Sequence, residues 1–167
     1  RETGDRSMNQ MDRAAIVRSS VLGTELDEKE AAILAECMGL VRLTNGELLV
    51  SEDEQRRTLF LLAEGRLCVC KTVGGVEEPV YRMRPGECAG TRAFVDGSAR
   101  KAALRSEDDS SVLTLEPDDF EALVETHPLL VYKVMRAIFR ITHTNLMRVN
   151  VERSELANYM LKTGGRY

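Results

Sequence analysis

Glycine and arginine at a fixed spacing give one stretch of this chain the chemistry of a binding site. Between residues 84 and 104 lie Gly86, then Gly90, and ten positions later Arg100, just ahead of a β-rich run. Amides of Gly90–Phe94 at the start of a short helix would face an anion, because unpaired N–H groups carry partial positive charge. An arginine beside them adds a planar fork of donors matched to phosphate or carboxylate. The structural alternative is an ion pair from Arg100 to Glu87 or Asp96. Elsewhere the chemistry is sparse. Cys68-x-Cys70 puts two thiols on one face of a strand, but it is neither the C-x-x-C redox spacing nor a zinc spacing, which favours inert thiols. His127 beside Pro128 reads as a helix-junction residue, and His143 as structural within a helix. No G-x-S-x-G, P-loop, dinucleotide fingerprint or H-E-x-x-H occurs. The expectation is a protein that is not an enzyme and has no metal site.

The composition is that of a folded, water-soluble chain. Apolar residues make up 43% and charged residues 30% of 167 residues, enough for one domain with its own core. No run without Asp, Glu, Lys or Arg exceeds seven residues, so no membrane helix is expected, and no signal peptide is visible. Four cysteines fit a reducing cytoplasm better than a disulfide scaffold. The net charge of −4 divides into +5 over residues 128–167 and −9 before them. An acidic body with a basic end is compatible with an acidic partner, and equally with a solvated basic helix face.

Three zones of periodicity position these residues. Residues 8–39 read as helical, with Asp27 and Glu30 spaced as a capping box and Ala31, Leu34, Ala35 and Met38 on one face. Residues 40–115 change to short Val-, Leu- and Thr-rich runs at 40–44, 48–51, 58–63, 67–72, 79–83, 102–106 and 112–115. Turn signals divide them. Asn45-Gly46 between two such runs predicts a hairpin. Within the Gly–Arg stretch, Ala93-Phe94-Val95 reads as a short helix or a loop. Residues 116–160 return to helix, with Pro117 opening one and Pro128 another. Along the last helix, Tyr132, Met135, Phe139, Thr142, Leu146, Val149 and Leu156 fall near a 3.5-residue spacing, the period of a helix–helix seam. Ile138 and Ile141 widen that face, and Lys133, Arg136 and Arg140 lie on another.

The order helix, β-roll with a Gly-rich insert, short helix, long helix resembles the cyclic nucleotide-binding domain of catabolite-activator and Fnr-like regulators. The resemblance covers about residues 14–160. Its cues are Asn45-Gly46-Glu47, the run Leu59 to Gly65 with the strand Leu67-Cys68-Val69, Met83-Arg84-Pro85-Gly86, Gly90, Arg100-x-Ala102, and Phe120-x-x-Leu123-Val124 before His127-Pro128. It implies an α+β, mainly β fold: an eight-stranded β jelly roll with N-terminal helices and a long C-terminal helix. The implied organisation is a tail or cloning remnant with a helix start at 1–13, the domain at 14–160 and a tail at 161–167. The roll spans about 40–115 and the C-terminal helices 117–160. The insert is then the phosphate-binding cassette.

Carried over position by position, Gly90 matches the cassette glycine, Ala93 its alanine, Arg100 the arginine for the cyclic phosphate and Ala102 the alanine after it. Arg92 and Lys101 add charge where the family is usually neutral. The family's ribose-binding glutamate falls on Thr91. A neutral hydroxyl holds a sugar hydroxyl about half as strongly as a carboxylate does. The expected ligand set is Gly90, Thr91, Arg92, Ala93, Arg100, Lys101 and Ala102, with Met83 and Ala89 as core. No cofactor is required; the expected ligand is a cyclic nucleotide, cAMP or cGMP. Also expected are a homodimer through Tyr132, Met135, Phe139, Thr142, Leu146 and Val149, an effector protein of unknown identity and a cytoplasmic location. After Met160 seven residues remain, too few for a recognition helix, so specific DNA binding is not expected. Tyr167 closing a Gly-rich tail reads as a natural end, with the sensor half of a longer DNA-binding regulator as the other reading. The rival reading is a degenerate, non-binding module for homodimerisation or protein docking, and Thr91 is the residue that separates the two.

Overall fold

Eight strands form two antiparallel four-stranded sheets that face each other as a jelly roll, with helices packed on one side. The computed structural model describes residues 8–163, with side chains as far as Met147 and at Glu155. The chain opens with α1 (Gln10–Ser19) and α2 (Glu28–Glu36). Asp27 and Glu30 form the reciprocal cap: Glu30 N donates to Asp27 Oδ1 at 2.8 Å, and Asp27 N to Glu30 Oε1 at 3.1 Å. The strands are β1 (Gly39–Leu43), β2 (Leu48–Val50), β3 (Leu59–Glu64), β4 (Leu67–Val73), β5 (Val76–Met83), β6 (Cys88–Ala89), β7 (Ala103–Ser106) and β8 (Ser110–Leu115). One sheet has the order β1-β8-β3-β6, the other β2-β7-β4-β5. Between β6 and β7 lies α3 (Thr91–Asp96); α4 (Pro117–Glu121), α5 (Leu123–Thr126) and the long α6 (Pro128–Thr163) follow β8.

The Asn45-Gly46 hairpin is a correction. Gly46 does turn the chain, at φ +89°, and Glu47 N donates to Thr44 O at 3.1 Å. Yet β1 pairs with β8 and β2 with β7, so the turn carries the chain from one sheet to the other. A local turn signal cannot report where the following strand finds its partner. Two further departures are that β5 begins at Val76, beyond the expected 79–83, and that the two-residue β6 is too short for periodicity to register.

Strand β3 shows why the roll closes. All of Leu59 to Ala63 is buried, a continuous apolar run of the kind a strand covered on both faces requires. Alternation sends Leu59 and Leu61 to a core shared with Val17, Leu34, Phe120, Leu130 and Val134 under the helices. Phe60 and Leu62 point the other way, into the roll with Val50, Met83 and Leu104. Helix α6 lays Leu130, Val134, Ala137 and Ile138 on this body, so Ile138 belongs to its buried face and not to the free seam. Its cations are spent nearby: Lys133 donates to Glu30 at 2.8 Å, and Arg136 and Arg140 both reach Glu25, at 3.2 and 3.0 Å. The Arg140 hydrogen bond is the chief reason the Glu25 carboxyl is held below its ordinary range. The basic stripe of the sequence therefore joins α6 to α2 and to the segment between α1 and α2.

Removing part of the shared core tests this packing. Leu61→Ala should cost about 2–5 kcal/mol, and Leu48→Ala, at a partly exposed position, within about 0.5 kcal/mol, both read from urea midpoints.

Candidate functional site

A cavity of about 650 Å³ opens between the roll, the cassette segment and α6. Strand β6 and helix α3 bring Ala89, Gly90, Thr91, Arg92 and Ala93 to one wall, and Ala99 to Ala102 to the same wall from the other side of the insert. Val50, Val69, Val80, Met83 and Leu104 form an apolar floor from the second sheet. Helix α6 closes the mouth with Ala137, Arg140, Ile141, Thr144 and Asn145. All seven residues expected at a ligand site therefore converge on one cavity.

Arg100 is the unusual group. It is 5% exposed and lies 5.0 Å from the centroid of the buried Phe60 ring, while Arg56 lies 5.2 Å from that ring. Its Nη2 donates to the Thr58 carbonyl, and its Nε is buried without a hydrogen-bond partner. The carboxylates that sequence offered it are engaged elsewhere: Glu87 accepts from the Tyr81 hydroxyl at 2.9 Å, and Asp96 accepts from Ser98 and lies 3.8 Å from Arg92. Burial, and after it the nearby Arg56 cation, pulls the Arg100 guanidinium below its ordinary range. The Glu54 and Glu116 carboxylates offset part of the cost of that buried charge, but neither forms an ion pair with the guanidinium, and its Nε stays unpartnered. The arrangement can take one anion at this wall.

Gly90 is fixed by the same group. Its φ is +87°, a conformation side chains rarely adopt, and a Cβ there would run into Arg100 Nη1 and lie 3.1 Å from the Thr58 carbonyl. Only glycine lets the arginine lie so close to the chain.

Thr91 is 7% exposed and faces α6, not the solvent. Its Oγ1 lies 3.0 Å from Thr142 Oγ1. Thr142 is 2.9 Å from the Ile138 carbonyl and has one proton to donate there, so Thr91 supplies the proton between the two hydroxyls. Thr142 accordingly turns toward the cassette, a correction to its place in the exposed seam. Of the other seam residues, Tyr132, Met135, Phe139 and Leu146 are exposed, and the side chain of Val149 lies outside the described residues. Arg92 and Lys101 are exposed at the mouth.

Sequence reasoning missed Glu87 and Tyr81 as a bonded pair in the wall, and missed Arg140, Ile141 and Thr144. The latter three, with Ala137, recur at three- and four-residue spacing on a helix face of their own, a signal hidden by the stronger seam beside it. Ala89, taken as core, does line the cavity, as does the buried Met83.

The remaining reactive types stay out of it. The Cys68 and Cys70 thiols lie 3.1 Å apart, buried on the outer side of their sheet, and burial pushes Cys70 up to about 12. Cys88 lines the cavity, but burial raises it too, so thiolate is scarce near neutrality. His127 bonds Thr126, and His143 stacks on Phe139. Among the described residues, no group of His, Cys, Asp and Glu could hold a metal ion, and no helix is long and apolar enough to cross a membrane.

Comparison with known proteins agrees with this geometry. Human cGMP-dependent protein kinase 2 is 26% identical over 113 residues, which are 66% of this chain and 15% of the kinase. The cAMP-dependent protein kinase regulatory subunit of Emericella nidulans is 27% identical over 110 residues, 66% of this chain and 26% of that protein. The chain thus spans well under half of either relative. In fold it is similar to the Thermus thermophilus catabolite activator protein. The TM-score is 0.74 at 22% identity, over 83% of this chain and 63% of that one. Of these two relatives, one is by name a kinase and the other the regulatory subunit of a kinase. The profile of the cyclic nucleotide-binding domain family matches residues 40–127, more than half of the sequence, and the chain belongs to that family.

Proposed function

We propose that this chain is a regulatory sensor that binds a cyclic nucleotide, cAMP or cGMP, in the cavity beside α3 and signals through α6. The observation that carries this reading is the buried Arg100 with its unpartnered Nε. A cyclic phosphate diester bears one negative charge. Among the lining residues, Arg92, Arg100, Lys101 and Arg140 outnumber the carboxylate of Glu87, with Asp96 beside Arg92 and Glu25 shared between Arg136 and Arg140, so the wall favours an anion. The phosphate would sit on Arg100 beside Gly90, with Thr91, Ala93 and Ala102 shaping the wall and Lys101 and Arg92 at the rim. The apolar floor from Val50 to Leu104 suits the flat face of a base.

Signalling needs a ligand that favours one arrangement of α6 over another. The helix touches the cavity through Arg140 and Ile141 and the cassette through Thr142, so a bound ligand acts on it directly. Its far face exposes Tyr132 at 57%, Phe139 at 71% and Leu146 at 58%. With Met135 and Val149 they recur at the spacing of a two-helix seam, which supports a homodimer. The module would act in the cytoplasm on an effector protein. One observation favours the second reading, a non-binding dimerisation or docking module: Thr91, at the ribose position, already has its partner in Thr142.

Calorimetry against cAMP, cGMP and 5′-AMP should give saturable heats with a cyclic nucleotide only. Arg100→Ala should weaken binding by about 10- to 150-fold, the worth of a charged hydrogen bond. Flat traces with the native chain would shift the reading to the docking module. Gly90→Ala should lower the melting temperature and weaken the same binding, since strain at such a position costs about 1–3 kcal/mol. For the seam, light scattering should report twice 18.7 kDa for the native chain and a shift toward the monomer for Phe139→Glu. A native monomer would remove the dimer from the reading.

A further inference from the structure

We infer that Glu87 reads the sugar of the ligand, taking the role that a carboxylate at position 91 would otherwise have. This rests on the cyclic nucleotide reading above. Glu87 is the only carboxylate lining the cavity among the described residues. Along β6, Cys88 packs against the helix-side core and Ala89 on the inner side of the roll, and Glu87, just ahead of the strand, lines the cavity. The backbone there is fixed: Glu87 N donates to Arg84 O at 3.1 Å and Glu87 O accepts from Leu62 N at 3.0 Å.

The side chain is fixed as well. Both Glu87 oxygens lie 2.9 Å from the Tyr81 hydroxyl. That hydroxyl has one proton, whereas an ionised carboxylate has about four lone-pair sites. The carboxylate is thus oriented by Tyr81 and left with most of its accepting capacity, and it has no ion-pair partner among the described residues. It stands in a wall whose other charges are all cations. Such an acceptor is matched by a neutral donor on an otherwise anionic ligand.

A ribose 2′-hydroxyl is a neutral donor of this kind, and in a cyclic nucleotide it adjoins the phosphate proposed at Arg100. Glu87 lies just before β6 and three residues ahead of Gly90, in the same cavity wall. Thr91 is poorly placed for the same task, because its hydroxyl is buried against α6, 3.0 Å from Thr142 Oγ1.

The test uses calorimetry of the full chain with cAMP and with 2′-deoxy-cAMP. The native chain should prefer the ribose form by about tenfold or more, the worth of one charge-assisted bond. Glu87→Ala should bind both forms alike, and Glu87→Gln, which keeps an acceptor without the charge, should fall between. Equal affinity of the native chain for both forms overturns the inference without any variant, so a misfolded Glu87→Ala cannot shield it. An undiminished preference in a folded Glu87→Ala overturns it too. If neither ligand binds the native chain, the cyclic nucleotide reading itself fails and the inference falls with it.

Discussion

Everything around the cavity depends on keeping one guanidinium inside the protein. Arg100 is nearly enclosed, and enclosure penalises its charge. The fold offsets part of this by laying it on the Phe60 ring and bonding it to the Thr58 carbonyl. A cation over an aromatic face is worth about 0.5–2 kcal/mol, less than the several kcal/mol that full desolvation costs. The Glu54 and Glu116 carboxylates offset a further part, and the unpartnered Nε is what remains open for an anion. This constraint explains choices that otherwise look unrelated. Gly90 must be glycine because the arginine lies against it. Phe60 must alternate into the roll while Leu59 and Leu61 face the helices, which is why β3 is apolar on both faces.

Legibility of the sequence follows from how local each feature is. The capping box of α2 and the proline start of α6 involve residues within a turn of each other, and both are visible in the chain. The Gly90–Arg100 spacing is visible because one segment carries both residues. The Asn45-Gly46 turn was legible as a turn and misleading as a hairpin, since strand partnership is a property of the whole roll. The α6 side of the cavity was not legible. The apolar seam dominates the helix period, and Arg140 read as part of a solvated basic stripe until the structure brought it to the cavity and to Glu25. Thr91 was legible as a departure from the family pattern, but its partner Thr142 lies 51 residues away and no spacing announces it.

Thr91 also shows how a departure can change the purpose of a position. A carboxylate there would face the ligand. A threonine is short enough to turn to α6, and its bond to Thr142 joins cassette and helix before any ligand arrives. The connection is then part of the resting architecture. Under the proposed function, a ligand would modify it, not create it.

Magnitudes indicate which contact would carry such a modification. Arg140 touches both the cavity and Glu25, so an anion could draw it from one to the other. The bridge is exposed on both sides, however, and such pairs contribute about 0.2–1 kcal/mol, a factor of five at most. The Thr91–Thr142 bond is a neutral one, worth about 0.5–1.5 kcal/mol. Ile141 is half-buried at the mouth, one residue from Thr142 and on the turn after the fully packed Val134, Ala137 and Ile138. Covering its remaining apolar surface with the face of a base adds burial at about 25 cal/mol per Å². Rotating α6 to meet that base, in contrast, drags a packed core with it. The apolar lever is continuous with the core and the polar ones are not. Under the proposed function, a base seated against Ile141 would act on the helix through its packed core, which the surface charges do not reach.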